Sequence, residues 1–203
     1  MSYPNRRGGA KRSKDRNTRY ATHIAVLNEC VSLLNASEEN PMHIIEHGMG
    51  LASTPFFHSL PRVEKITSFE REPEWSTCAN CMSGSTTPPH QIIMLKDDTA
   101  IEQTRVGITR PSMTLVLVDG YASQRAGVVE AMMSAGCAYI VEHDAETFRG
   151  RDIEFRKNSA RVHGYSAHQY MGHDPETAFF VKNTGGVGAP TFTDQFSRFV
   201  VRF

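Results

Sequence analysis

The sequence lacks any run of about 18 apolar residues, so no segment is expected to span a bilayer. Its basic N-terminus is followed by no apolar stretch, which argues against a secretory signal and for a cytoplasmic protein. Cysteine is sparse. Cys30, Cys78, Cys81 and Cys137 do not make a disulfide framework in a chain of 203 residues, and Cys137, in an apolar run, reads as a small buried hydrophobe. Cys78 and Cys81 form a C-x-x-C with no second such pair, so a structural zinc would need Cys30, His58 or His90 to complete it. Two cysteines on one side of a helix is the plainer reading. The nine histidines are scattered without ligand-like spacing, and none is expected to hold a metal.

Net charge is also missing, with 22 basic and 22 acidic residues, but the balance is uneven. Residues 1–19 carry seven Lys/Arg against the single acid Asp15, leaving 15 basic and 21 acidic side chains for the rest. Such a basic arm on a mildly acidic body suits either a solvated tail or a docking segment for nucleic acid. What remains is ordinary globular composition, 39% hydrophobic and 22% charged, enough for one domain with a substantial core.

Along the chain, Thr22–Leu34 has apolar residues at helical spacing. Short apolar runs followed by turns or helical segments then alternate. The strand expectations are a strand and tight turn within MHIIEHGMG (residues 42–50), then Lys65–Phe69 ending on Glu70, Gln91–Leu95, Thr114–Val118, Ala138–Val141, His168–Met171 and Ala178–Val181. Helices are expected over Thr54–Leu60, Pro73–Met82 and Arg125–Ala135, and Ser83–Pro89 reads as loop. Thr114–Val118 (TLVLV) is apolar or β-branched throughout, as a strand covered on both faces should be. Beyond Asp144 the pattern weakens. Thr184–Pro190 reads as a flexible connection, and Phe196–Phe203 alternates like an edge strand. This organisation predicts an α/β fold with helices on both faces of one sheet: a tail over 1–19, a domain over 20–183 and an extension over 184–203.

Ile44–Thr54, IIEHGMGLAST, is the segment richest in chemistry. Gly48 and Gly50 let the backbone turn sharply after a strand and approach a ligand. Glu46 closes that strand, and Glu70 closes the next one 24 residues later, where an acid can accept both hydroxyls of a ribose. A dinucleotide fingerprint would want glycine three residues after Gly50, where Ser53 stands, and would set Glu46 against a pyrophosphate. A cofactor carrying an ammonium and a sulfonium welcomes that charge.

IIEHGMGLAST resembles the first motif of the class I S-adenosylmethionine-dependent methyltransferases. ITSFEREPEW (Ile66–Trp75), LVLVDGYASQR (Leu115–Arg125), YIVEHDAE (Tyr139–Glu146) and ETAFFVKN (Glu176–Asn183) are similar to later motifs of that family, in its order. The matches run from about His43 to Asn183. The departures are the third glycine position, held by Ala52 and Ser53, together with the tail and the extension. The resemblance implies a doubly wound, mostly parallel seven-stranded sheet. It implies a cofactor site of Glu46, Gly48, Gly50, Ser53 and Thr54, with Glu70 on the ribose, Arg71 and Trp75 near the adenine, Asp97 or Asp98 on the adenine amine, and Asp119 on the cofactor's amine. Asp119 and Asp144 stand where catechol-type O-methyltransferases bind Mg²⁺ with a following Asn, which is Ala145 here; His143 is the other candidate for removing an acceptor's proton.

The function expected is methyl transfer to an oxygen of a small molecule. A nucleic-acid methyltransferase using the basic tail, or a non-catalytic protein on the same fold, are the alternatives. Against nucleic acid, no [DNS]-P-P-[YFW] loop follows the fourth strand, where Asp119-Gly120-Tyr121 stands, and there is no Pro-Cys nucleophile. Acceptor specificity is expected from Tyr20–Leu34, Ser83–Pro89, Phe148–Tyr165 and the C-terminal extension.

Overall fold

Strand β4 (Thr114–Val118) is buried at all five positions, as its unbroken apolar sequence demands. Its residues divide between two cores. Val116 and Val118 face Val128, Val129, Met132 and Met133 of one helix layer, whereas Leu115 and Leu117 face Val26, Leu27, Val31 and Leu34 of the other. The same alternation puts Ile45 in the first core and Ile44 in the second.

This computed structural model describes residues 23–37, 41–80, 88–96, 108–120, 122–144, 151–172, 176–183 and 191–202. Helix α1 (Ile24–Ser37) leads into β1 (Met42–His47), α2 (Ser53–Ser59), β2 (Val63–Glu70), α3 (Pro73–Asn80) and β3 (His90–Met94). A 3-10 turn over Pro111–Met113 enters β4, and α4 (Ala122–Ala135), β5 (Tyr139–Glu142), α5 (Arg151–His163), β6 (Tyr165–Tyr170), β7 (Thr177–Lys182), α6 (Asp194–Ser197) and β8 (Val200–Arg202) follow. They form one sheet in the order β3-β2-β1-β4-β5-β7-β6-β8. The five strands from β3 to β5 pair in parallel, β7 runs antiparallel to β5 and β6, and β8 pairs antiparallel with β6. No helix among the described residues is long and apolar enough to cross a membrane.

Two expectations are corrected. The sheet has eight strands rather than seven, because the C-terminal extension adds β8 to the edge. Only its last residues pair. Phe196 belongs instead to α6, where its ring stacks on Tyr170 at 4.8 Å and 7° and enters the core beneath α1. The region around Phe148–Tyr165, where the sequence pattern is weak, contains α5, which packs Ala160 and Ile153 into the core that α4 also covers. Its sequence, RDIEFRKNSARVH, is too polar to signal a covering helix. A buried ion pair helps dock it: Arg156 donates from Nε and Nη2 to the Glu142 carboxylate at 2.8 and 2.5 Å.

Candidate functional site

The carboxyl ends of β2, β1, β4 and β5 lie side by side, and the strand order reverses at β1/β4, where open α/β sheets leave a crevice for ligands. Hydrogen bonds carry the sheet past the strand ends: Gly48 N donates to Phe69 O, Asp119 N to His47 O and His143 N to Val118 O, at 2.9, 2.8 and 3.1 Å. Residues after the strands are thereby held as firmly as those within them.

Gly48 has φ +88°, and a Cβ there would lie 2.6 Å from Gly120 N and 2.8 Å from the Asp119 carbonyl carbon. A Cβ on Gly120 would lie 2.5 Å from the His47 ring. The first glycine is thus required by the close approach of β4's end as well as by its backbone angle, a reason different from the ligand approach expected from sequence. Gly50 is less constrained; a Cβ there would meet Ser53 Oγ at 3.0 Å.

Glu46 lies beneath this loop, fully buried. Ser53 Oγ donates to its Oε1 at 2.6 Å, Ser68 Oγ to Oε2 at 2.8 Å, and Thr54 Oγ1 reaches both oxygens at 3.0 Å. Thr54 Oγ1 also accepts the Gly50 N–H at 3.2 Å, so the acid secures the loop through its neighbours. Burial raises the Glu46 pKa to about 7 against the opposing pull of these hydroxyls. Glu46, Ser53 and Thr54, which the resemblance assigned to the cofactor site, are all buried, and Ser53 and Thr54 each bond Glu46.

Glu70, at the end of β2, is 5% exposed. Its Oε2 accepts the Met49 N–H at 2.8 Å, and its Oε1 accepts those of Arg71 and Glu72 at 2.6 and 2.8 Å. It therefore ties the glycine loop to the β2 turn. Arg71 is exposed just beyond. Asp97, Asp98, Tyr121, Ala145, Cys81 and the 1–19 tail lie outside the described residues, as do the side chains of Thr77–Asn80, so neither the adenine acid nor the zinc reading is placed.

The ends of β4 and β5 bring Asp119, His143 and Asp144 together, as expected. His143 Nδ1 lies 2.9 Å from Asp119 Oδ1 and 3.7 Å from Asp144 Oδ1. Arg125, from α4, is the organising residue. It donates to Gly120 O and His143 O, both at 2.7 Å, and its Nη2 lies 3.2 Å from Asp144 and 3.5 Å from Asp119. Asp144 adopts φ +56°. Burial pushes the His143 imidazole down, but the hydrogen bond and charge of Asp119, aided by Asp144, bring its pKa above the ordinary value. A residue that sequence reasoning did not associate with the site completes the group. His23, at the entry to α1, sets its ring edge-on to His143 with centroids 4.5 Å apart.

No protein-family model matches the sequence, and neither does any curated protein. Solved structures do resemble the fold. A Staphylococcus aureus protein assigned as a caffeoyl-CoA O-methyltransferase superposes with a TM-score of 0.57 at 14% identity, over 83% of this chain and 84% of its own. Magnesium protoporphyrin IX methyltransferase from Synechocystis PCC 6803, with bound SAM, gives 0.54 at 10% identity over 86% of each chain. Precorrin-6y C5,15-methyltransferase from Geobacter metallireducens GS-15 gives 0.52 at 12% identity, over 81% of this chain and 91% of its own. The fold is that of the class I methyltransferases.

Within a methyltransferase fold, the donor set can be tested against the two groups the resemblance implied. S-adenosylmethionine fits: Glu70 is a pre-oriented carboxylate at the crevice with three of its roughly four acceptor positions used. Mg²⁺ held by Asp119 and Asp144 does not fit. Both carboxylates face the Arg125 guanidinium, which neutralises the charge a hard cation would need.

Proposed function

We propose that this protein is an S-adenosylmethionine-dependent methyltransferase acting on an oxygen of a small-molecule acceptor. The observation that carries the reading is the reversed β7 inserted between β5 and β6. A dinucleotide-binding sheet continues in parallel at that point. Topology carries the distinction because Glu46, titrating near pH 7, makes the sign of its charge a weak discriminator.

S-adenosylmethionine, when bound, supplies a methyl group on a positively charged sulfur. Glu70 offers its remaining acceptor position to a ribose hydroxyl, while Glu46, through Ser53, Thr54 and Ser68, keeps the glycine loop in its binding shape. Asp119, half-buried beside Gly120 at the end of β4, would meet the cofactor's amine. The acceptor would meet the cluster of Asp119, His143 and Asp144, where its hydroxyl proton would pass to the His143 imidazole. Arg125 holds that cluster in place, and alignment supplies most of the rate.

Glu70→Ala is expected to weaken S-adenosylmethionine binding in a protein that remains folded, since each hydrogen bond to a charged group contributes roughly 1.5–3 kcal/mol. Titration calorimetry checks this, and unchanged affinity would remove Glu70 from the ribose. Tighter binding of NAD than of S-adenosylmethionine by the native protein would overturn the cofactor itself. The seven basic residues of the 1–19 segment support one second reading, a nucleic-acid acceptor. Binding to duplex DNA or RNA that disappears when residues 1–19 are deleted would favour it over the small molecule.

A further inference from the structure

His23 presents a buried imidazole whose two nitrogens have no hydrogen-bond partner, at 1% exposure. An unsatisfied buried polar group costs about 1–3 kcal/mol and is rare enough to require a reason. The His23 ring has a polar neighbour. It faces His143 edge-on, and one donor atom from each of His23, Asp119 and His143 lies within 4.8 Å of the others. This is the one such group among the described residues.

We infer that His23, Asp119 and His143 form a binding site for a divalent transition metal of the zinc or iron(II) kind. Two imidazoles and one carboxylate make a borderline donor set, which such ions accept and which Mg²⁺ and Ca²⁺, preferring all-oxygen shells, do not. The spacing is compatible. Ligands at about 2.0–2.2 Å around a tetrahedral ion lie about 3.3–3.6 Å apart, and Asp119 Oδ1, now 2.9 Å from His143 Nδ1, would need to move apart from it by only about 0.4–0.7 Å. Three protein ligands leave a position open, as catalytic rather than structural sites do. Arg125 lies closer to Asp144, at 3.2 Å, than to Asp119 Oδ1, at 3.5 Å, and its donations to the Gly120 and His143 carbonyls hold the ends of β4 and β5 that carry two of the ligands. His47 also has two unpartnered buried nitrogens, but it belongs to no such group.

That the open position takes the acceptor's oxygen rests on the methyl-transfer reading; that the site binds metal does not. The two are tested separately. Full-length protein stripped with chelator is titrated with Co²⁺ in the absence of any cofactor. One equivalent should bind, giving the visible absorption of a low-symmetry four- or five-coordinate ion, and Zn²⁺ should displace it. His23→Gln and His143→Gln should each weaken binding at least tenfold, while His163→Gln, a histidine outside the cluster, should not. Crystals grown with Zn²⁺ should show an anomalous peak among the three side chains, a result independent of whether any variant folds. Absence of stoichiometric binding, a peak elsewhere only, or binding by folded His23→Gln equal to that of the native protein would overturn the site. S-adenosylmethionine calorimetry on the stripped protein reports on the methyltransferase reading alone.

Discussion

Gly48 and Gly120 work as a pair. Each is glycine because the other strand end, or the His47 ring between them, occupies the space a Cβ would take. Gly48→Ala therefore combines an unfavourable positive φ with a backbone clash that no rotamer can relieve, and about 1–3 kcal/mol or more of stability should be lost. Thermal unfolding should show a marked fall in Tm. Weakened cofactor binding at unchanged Tm would instead mean that ligand space alone requires the glycine. Glu46 secures the same loop from beneath. Its two oxygens are occupied by Ser53, Thr54 and Ser68, so its influence passes through the loop it anchors.

Among the elements, α5 departs most from its sequence. Its polar composition would suit a solvated helix, yet Arg156 and Ser159 are buried along with Ala160. Arg156 meets Glu142, the last residue of β5 and wholly inaccessible to solvent. A buried pair of this kind contributes little net stability, but removing one partner strands the other charge, at roughly 3–5 kcal/mol. Arg156→Ala should consequently destabilise the protein by that order, measured by urea unfolding, whereas Lys157→Ala, at an exposed pair with Glu154, should change stability by less than about 1 kcal/mol. Equal effects would mean that the buried pair does not dock α5. Since Glu142 immediately precedes His143, loosening α5 should also disturb the cluster at the end of β5.

Across the whole molecule, buried histidines set the response to acid. His43, His47 and His168 are pushed down to about 4, chiefly by burial, whereas an unfolded imidazole titrates near 6.5. Between these values the unfolded chain binds the extra protons, so stability is full above 6.5 and is lost as pH falls toward 4. The slope approaches about 1.4 kcal/mol per pH unit for each ring. Glu46 acts in the opposite sense, because its folded pKa of about 7 exceeds its unfolded 4.5, so its contribution is present at low pH and lost as pH rises through 7. His143, whose folded pKa is also raised, acts in the same sense as Glu46, but these two groups do not offset the three rings together with His23 and His90, which burial likewise lowers to about 4. Tm should therefore drop as pH is lowered from 7 to 5, and a flat or rising Tm over that interval would contradict the burial of these rings as neutral species.

The strands from β1 to β5, the glycine turn and the acids at the strand ends are legible in the sequence, because apolar runs, turn glycines and the residues that close strands are local signals. β8 was legible only in part, and α5 not at all, since the first depends on an edge to pair with and the second on a buried ion pair. The same limit applies to the site. Asp119, His143 and Asp144 could be read from strand ends, but nothing near His23 marks it as their neighbour; it stands about a hundred residues before them and reaches them only because α1 covers the β1/β4/β5 region. Arg125 likewise turns the Asp119/Asp144 pair from a magnesium expectation into a neutralised one by projecting from α4 onto both. The chain's local chemistry thus determined which groups stand at the ends of the strands. Which of them meet, which are buried and which charges cancel was decided by the order of the strands and the helices laid over them, because Coulomb and desolvation energies depend on distance in space and not along the chain.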